Sequence, residues 1–201
     1  ALVDAADTGV LTAAQGLSPS DITRAAIVAT YDSTLADRLL DAVDDALDGD
    51  GNELRSLSDD FLGLASFDVY TAVSCLDNER PRDPAAFDAF VDRIAIVAPV
   101  LGPPIANELR PCASWPTGVA PPLEALSDAT APPMLLLGNT GDSATPYADA
   151  VSVAARLDKA VLLTYEGTGH TSYQEGSSCV DDAVDAYLLD LTVPAADTIC
   201  D

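Results

Sequence analysis

The sequence predicts an α/β fold in which a helical region comes first and a βαβα unit with a short, incomplete parallel sheet closes the chain. Three observations carry this reading. Residues 18–62 repeat apolar side chains at helical spacing; a continuous apolar run at 134–137 and a buried-strand pattern at 160–165 each lead into a glycine-rich loop; and helical patterns at 146–157 and 180–189 alternate with them. With 201 residues, 48% of them hydrophobic, the chain can bury a core, which excludes disordered and fibrous classes.

The elements follow in order. Ser18-Pro19-Ser20-Asp21 starts a helix, because it places proline at the first helical position and an acid over the free N–H groups of the first turn. The next helix sets Leu35, Leu39, Leu40, Val43 and Leu47 on one face and Asp37, Asp41, Asp44, Asp45 and Asp48 on the other. Gly49 and Gly51 end it, and 53–62 resumes through Leu54, Leu57, Phe61 and Leu62 to make a helical hairpin. Asp48-Gly49-Asp50-Gly51-Asn52 looks like the opening of a calcium loop. Glu53, however, stands where the sharp turn needs glycine, and Asp59 stands where a bidentate glutamate belongs, so a polar helix–helix turn is the expected reading. Two further helices are predicted over 67–76 and 84–100. A passage rich in proline follows (Pro103, Pro104, Pro111, Pro116, Pro121, Pro122), and the boundary is expected near residue 120, giving a helical region over 1–120 and an α/β portion over 121–201. The two late strands should run parallel, joined by a right-handed crossover. Two parallel strands alone expose edges, so a partner that completes the sheet, or strand exchange between copies, is expected.

Charge and cysteines bound the function. Nine Lys and Arg against 33 Asp and Glu give a net charge of -24, which repels a phosphate backbone and makes nucleic acid and anionic membrane surfaces poor partners. The longest apolar stretch, 95–106, is short and interrupted by prolines, so no membrane span is predicted. Ala1-Leu2-Val3-Asp4 lacks a basic region followed by an apolar one; the chain as given carries no signal peptide, and earlier removal of one is compatible with export. With a single histidine and no C-x-x-C pair, a zinc site is disfavoured, and neither metal nor cofactor is expected. Cys75, Cys112, Cys179 and Cys200 fit disulfides in an exported protein, with three pairings open; four buried thiols are the alternative.

The chemistry gathers in two loops. In a parallel sheet, functional groups collect beyond the carboxyl ends of strands, and here those loops read Gly138-Asn139-Thr140-Gly141-Asp142 and Glu166-Gly167-Thr168-Gly169-His170. Adjacent strands would bring Asp142 and His170 together, so that the carboxylate holds one imidazole tautomer and stabilises the imidazolium. A lone loop histidine is more often a surface residue, and a strand-terminal aspartate more often caps a helix; it is their paired placement that points to catalysis. The order acid then histidine, each after a late strand, is the order α/β-hydrolases use downstream of their serine.

Several segments together resemble one family. They are Leu47-Asp48-Gly49-Asp50-Gly51, Ala72-Val73-Ser74-Cys75-Leu76-Asp77, Cys112-Ala113-Ser114-Trp115-Pro116, the P-x-L-L-L-G-x-x-x-D-x-x-T-P pattern from Pro133 to Pro146, Gly167-Thr168-Gly169-His170-Thr171, and a tail from Cys179 through Tyr187-Leu188 and Pro194 to Cys200. The chain resembles the C-terminal portion of the tripeptidyl-aminopeptidase-like branch of exported bacterial α/β-hydrolases, cap helices and last two strands included. The resemblance implies that Asp142 is the triad acid and His170 the general base, with Thr145 supporting the acid's loop. It further implies pairing of Cys75 with Cys112 and of Cys179 with Cys200, and a helical cap that receives the amino end of a peptide substrate, where Asp77 and Glu79 could meet a protonated amine. Solvated surface acids are the plainer reading of those two.

The departure from the family is large. No G-x-S-x-G elbow occurs in the 201 residues, so the nucleophile is missing, and the oxyanion donors are expected upstream. Ser143 adjoins the acid and is badly placed to face His170. The expectation is a C-terminal portion of an exported serine aminopeptidase that supplies acid and base and is inactive alone, with an N-terminal half carrying the nucleophile as its partner. The rivals are a non-catalytic, acidic, disulfide-bonded binding module and a miniature hydrolase using Ser143, Ser172, Ser177 or Ser178.

Overall fold

The computed structural model describes residues 1–31, 33–63, 67–116, 118 and 130–201. The expected boundary near residue 120 and Pro121 and Pro122 of the proline-rich passage lie outside them. The chain divides into two compact units, one formed by 1–28 with 38–122 and the other by 29–37 with 123–201.

The first unit is helical. A short α1 (Leu2–Asp7), not expected from the sequence, precedes α2 (Pro19–Val28). Asp21 accepts from both the Ser18 amide and hydroxyl at 2.7 Å, which completes one half of the capping arrangement that the Ser-Pro-Ser-Asp pattern predicts. The same carboxylate is tied to Arg24 at 2.6 Å and to Ser58 of α4 (Asn52–Gly63) at 2.9 Å, so a charged network pins α2 to α4. Burial pushes the Asp21 carboxyl up, but the bonds from Ser18, Ser58 and Arg24 outweigh it and hold the group at about 2. Between these helices runs α3 (Ser33–Leu47), whose residues from 38 onward belong to this unit.

The apolar face assigned to α3 needs correction. Ala42 and Ala46 are its buried residues, whereas Leu40 and Leu47 are 65% and 69% exposed. At 3.6 residues per turn, positions 35, 39, 42 and 46 fall on one stripe and 40 and 47 lie off it. Arg38 joins α3 to α4 through Glu53 at 2.6 Å and Asp60 at 2.9 Å. The 48–52 turn is held by protein groups: Asp50 accepts from the Asn52 amide at 2.9 Å, Gly51 N–H donates to Thr12 at 2.8 Å, and Asn52 accepts from Ala14 at 2.8 Å.

A second helical cluster comprises α5 (Phe67–Asp77), α6 (Pro84–Val97), α7 (Gly102–Glu108) and a 3-10 turn (Arg110–Ser114). Asp83 caps α6, and the helix ends at Val97 rather than 100 because Pro99 disfavours helical backbone in the residue before it. The proline-rich passage is itself partly helical, since Pro103 and Pro104 sit at the start of α7, where proline's missing N–H is not needed. The Cys75–Cys112 disulfide spans 37 residues and lies with Phe87, Leu109 and Ala113 in a fully formed small core.

The second unit is α/β. β1 (Met134–Gly141), α8 (Tyr147–Ala154), β2 (Ala160–Thr168) and α9 (Ser178–Asp190) form the expected alternation. A third strand, β3 (Ile199–Cys200), adds to the two that were expected and pairs parallel with β2, giving the order β1-β2-β3. Two residues carry no readable strand pattern; the Cys179–Cys200 disulfide, spanning 21 residues, ties them to α9. Leu163, Val180 and Cys200 are fully buried, with Leu135, Leu137 and Tyr165 packed on them. The register runs from Met134 opposite Ala160 to Asn139 opposite Tyr165, then slips so that Gly141 faces Thr168. Close approach requires glycine there: a Cβ on Gly141 would stand 2.8 Å from the Gly167 carbonyl oxygen.

Candidate active site

The loops that follow β1 and β2 leave the sheet at the same end, because the strands are parallel and adjacent. Asp142 is the first residue past β1, and its amide returns to the Asn139 carbonyl at 3.3 Å. The Asp142 side chain, 7% exposed, forms an Asx-type turn of its own: Oδ1 accepts from the amides of Ala144 and Thr145, both at 2.8 Å, and Oδ2 from the Thr145 hydroxyl at 2.9 Å. The imidazole of His170 completes the set, with Nδ1 3.0 Å from Oδ2 and 3.2 Å from Oδ1. Burial raises the Asp142 carboxyl, but the bonds from Thr145, His170 and Ala144 outweigh it and hold the group below its ordinary 3.8.

That geometry selects a tautomer. An ionised carboxylate only accepts, so Nδ1 carries the proton and, in the neutral ring, Nε2 is left with its lone pair. Among the described residues Nε2 has no hydrogen-bond partner, and the ring is 33% exposed. The arrangement can accept a proton at Nε2 while the carboxylate stabilises the resulting imidazolium.

The histidine loop is fastened from several sides. Gly169 takes φ +107°, a conformation that favours glycine, and a Cβ there would stand 3.0 Å from the Tyr31 carbonyl oxygen. That carbonyl accepts from the His170 amide at 2.7 Å, and the Tyr31 ring meets the imidazole edge-on at a centroid distance of 5.3 Å. The buried Asn139 side chain reaches the Gly169 carbonyl at 3.1 Å and accepts from the buried Ser172 hydroxyl at 2.8 Å. A cleft of about 480 Å³ adjoins the pair, with Leu137, Ala150 and Val153 on its apolar wall and Asp142, Thr145 and His170 on its polar one.

The structure thus brings Asp142, His170 and Thr145 together. Asp77, the last residue of α5, and Glu79 just beyond it are exposed acids of the helical unit. Three of the four serines named as possible nucleophiles are engaged elsewhere: Ser143 shares a 2.6 Å hydrogen bond with Thr30, Ser172 donates to Asn139, and Ser177 donates to the Asp201 carbonyl at 3.1 Å. Ser178 is exposed at the start of α9. Among the described residues none of the four is hydrogen-bonded to His170. Sequence reasoning missed Asn139 and Tyr31. A polar residue at the end of an apolar strand was the available signal for Asn139; nothing local signals Tyr31, whose loop is remote in sequence from the strands it serves.

A parallel α/β unit with a carboxylate–imidazole pair beyond the ends of neighbouring strands is part of an α/β-hydrolase fold. Comparison with known proteins agrees: the family model described as TAP-like protein matches residues 98–200, and the chain belongs to that family. Carboxylesterase B of Mycobacterium tuberculosis is 34% identical over 197 residues, covering 92% of this chain and 38% of the relative. Serine protease Hip1 of the same species is 31% identical over 199 residues, again covering 92% and 38%. Tripeptidyl aminopeptidase of Streptomyces lividans is 33% identical over 133 residues, covering 66% of this chain and 25% of the relative. The chain therefore spans well under half the length of the relatives it matches.

Proposed function

We propose that this chain supplies the acid and the general base of a serine hydrolase acting on peptides, with Asp142 as acid, His170 as base and Thr145 holding the acid's loop. The observation that carries it is the 3.0 Å contact between His170 Nδ1 and an Asp142 carboxylate already held by three donors of its own loop. A carboxylate so held orients the ring without rotating, which keeps Nε2 on a fixed heading toward a nucleophile. Relatives named serine protease and tripeptidyl aminopeptidase support peptides as the substrate class and cleavage at the amino end as the reaction.

The nucleophile is supplied by a segment outside these 201 residues that carries a G-x-S-x-G elbow, since the sequence has none. The β1 edge supports this, because among the described residues β1 is outermost in the sheet and carries the apolar run 135–137, which suits a further parallel strand from that segment or from a second copy. Two disulfides support residence outside the reducing cytosol. Among the described residues no helix is long and apolar enough to cross a membrane.

The test joins this chain to an upstream polypeptide of the same family bearing the elbow serine. Release of amino-terminal peptides from a chromogenic tripeptide amide is the expected result, together with its loss in His170→Ala. Full activity in the His170→Ala protein would overturn the assignment of the base.

A further inference from the structure

We propose that Asn139, acting with Ser172, is a positioning residue that fixes the His170 imidazole against Asp142. The proposal rests on the acid–base reading of that pair and adds the device that sets its geometry. Asn139 is bonded to both loops of the site. Its backbone carbonyl accepts from the Asp142 amide at 3.3 Å, so it anchors the turn that presents the acid. Its side chain crosses to the other loop and grips it on both sides of the histidine, through the Gly169 carbonyl at 3.1 Å and the Ser172 hydroxyl at 2.8 Å.

The hydrogen-bond inventory leaves one arrangement. The Gly169 carbonyl only accepts, so the amide NH₂ of Asn139 faces it; Asn139 Oδ1 then faces Ser172 and the serine hydroxyl donates. Asn139 is 4% exposed and Ser172 1%, so each would be left with an unsatisfied buried group if the other were removed. The gripped segment is also strained. Thr171, a β-branched residue lying between the two anchors, takes φ +82°, in the left-handed region that such residues avoid. Strained backbone persists only where its surroundings over-determine it, and the Asn139 side chain supplies that restraint on either side of Thr171. Without it the histidine loop can relax, and the ring turns away from the carboxylate even though Asp142 keeps its own local turn.

The chain holds a single histidine, so one imidazole reports the geometry directly. The experiment labels histidine with ¹⁵N in the 201-residue chain and reads the ring nitrogen shifts of the neutral form. The original protein should show the Nδ1–H tautomer, the reverse of the preference of free imidazole, and Asp142→Asn should lose it. Asn139→Ala and Ser172→Ala should each move the shifts toward the free-imidazole mixture, with Asn139→Ala the larger change. Ser177→Ala, which removes a buried hydroxyl bonded only to the Asp201 carbonyl, should leave them unmoved and controls for general loosening. Should Asn139→Ala fail to fold, Ser172→Ala decides, because it leaves the amide bond to Gly169 in place. Unchanged ring shifts in folded Asn139→Ala or Ser172→Ala, with Asp142→Asn altered, would overturn the positioning role alone. Absence of the Nδ1–H tautomer in the original protein would overturn the acid–base reading beneath it.

Discussion

The Asp142 carboxylate and the His170 imidazole stand side by side in the site and are held by different sets of bonds. Asp142 is fixed by its own neighbours: all three protein donors besides the histidine come from Ala144 and Thr145. His170 is fixed from afar, by Tyr31 on its amide and by Asn139 on the residues either side of it, with left-handed backbone at Gly169 and Thr171. A carboxylate held by donors of its own turn keeps its orientation when more distant contacts loosen, whereas a ring held through remote anchors moves with whatever moves them. The difference teaches that the acid is the stationary member of the pair and that the site's precision depends on what holds the base.

The largest effect should come from cutting the contact between the loops. Asp142→Asn, in a polypeptide completed by the nucleophile, should lower turnover about 10⁴-fold by favouring the wrong tautomer, with the fold intact by circular dichroism. Next, a methyl group should distinguish the loops by stability. Gly169→Ala adds a Cβ in a left-handed conformation against the Tyr31 carbonyl and should cost about 2 kcal/mol in denaturant unfolding, whereas Ala144→Gly in the acid loop should cost less than about 1 kcal/mol.

A smaller effect should follow from trimming one of the local bonds. The Asp142 carboxyl lies below its ordinary 3.8 in the folded chain, so its contribution to stability is complete above that value and is lost as the pH falls through the folded one. Thr145→Val removes the hydroxyl bond but keeps both amides, so this acid-sensitive contribution should shrink without vanishing, by about 1 kcal/mol at neutral pH. Thermal midpoints taken from pH 2 to pH 6 would show it, and an identical pH profile in the variant would break the claim of local wiring. The smallest change should be a gain: Thr171→Gly relieves the φ +82° backbone of the histidine loop and should stabilise by about 0.5 kcal/mol after the added flexibility of the unfolded chain is subtracted.

The same contrast explains what could be read from the sequence. The acid loop was legible through the D-x-x-T-P pattern of the family resemblance, and its donors lie within three residues of their acceptor. The alternation of β1, α8, β2 and α9 was legible for a similar reason, since period and run length are short-range signals. The pairing of Asp142 with His170 needed only the further inference that the two strands are adjacent and parallel. The histidine loop's anchors were not legible, because Tyr31 and Asn139 become its neighbours only through tertiary packing. β3 escaped notice for want of a pattern in Ile199 and Cys200, and α7 because prolines that read as breakers sit where a helix accepts them. The face of α3 has a third cause: leucines dominate an apolar pattern and alanines do not, yet Ala42 and Ala46 are the residues that are buried.

The central claim is that this chain brings acid and base while the nucleophile lies elsewhere. It is tested most directly by treating the polypeptide completed with the elbow segment with a fluorophosphonate and locating the adduct by peptide mass spectrometry. The account predicts one adduct, on the elbow serine, formed far more slowly in His170→Ala, and none on the 201-residue chain alone. An adduct on Ser143, Ser172, Ser177 or Ser178 would contradict it.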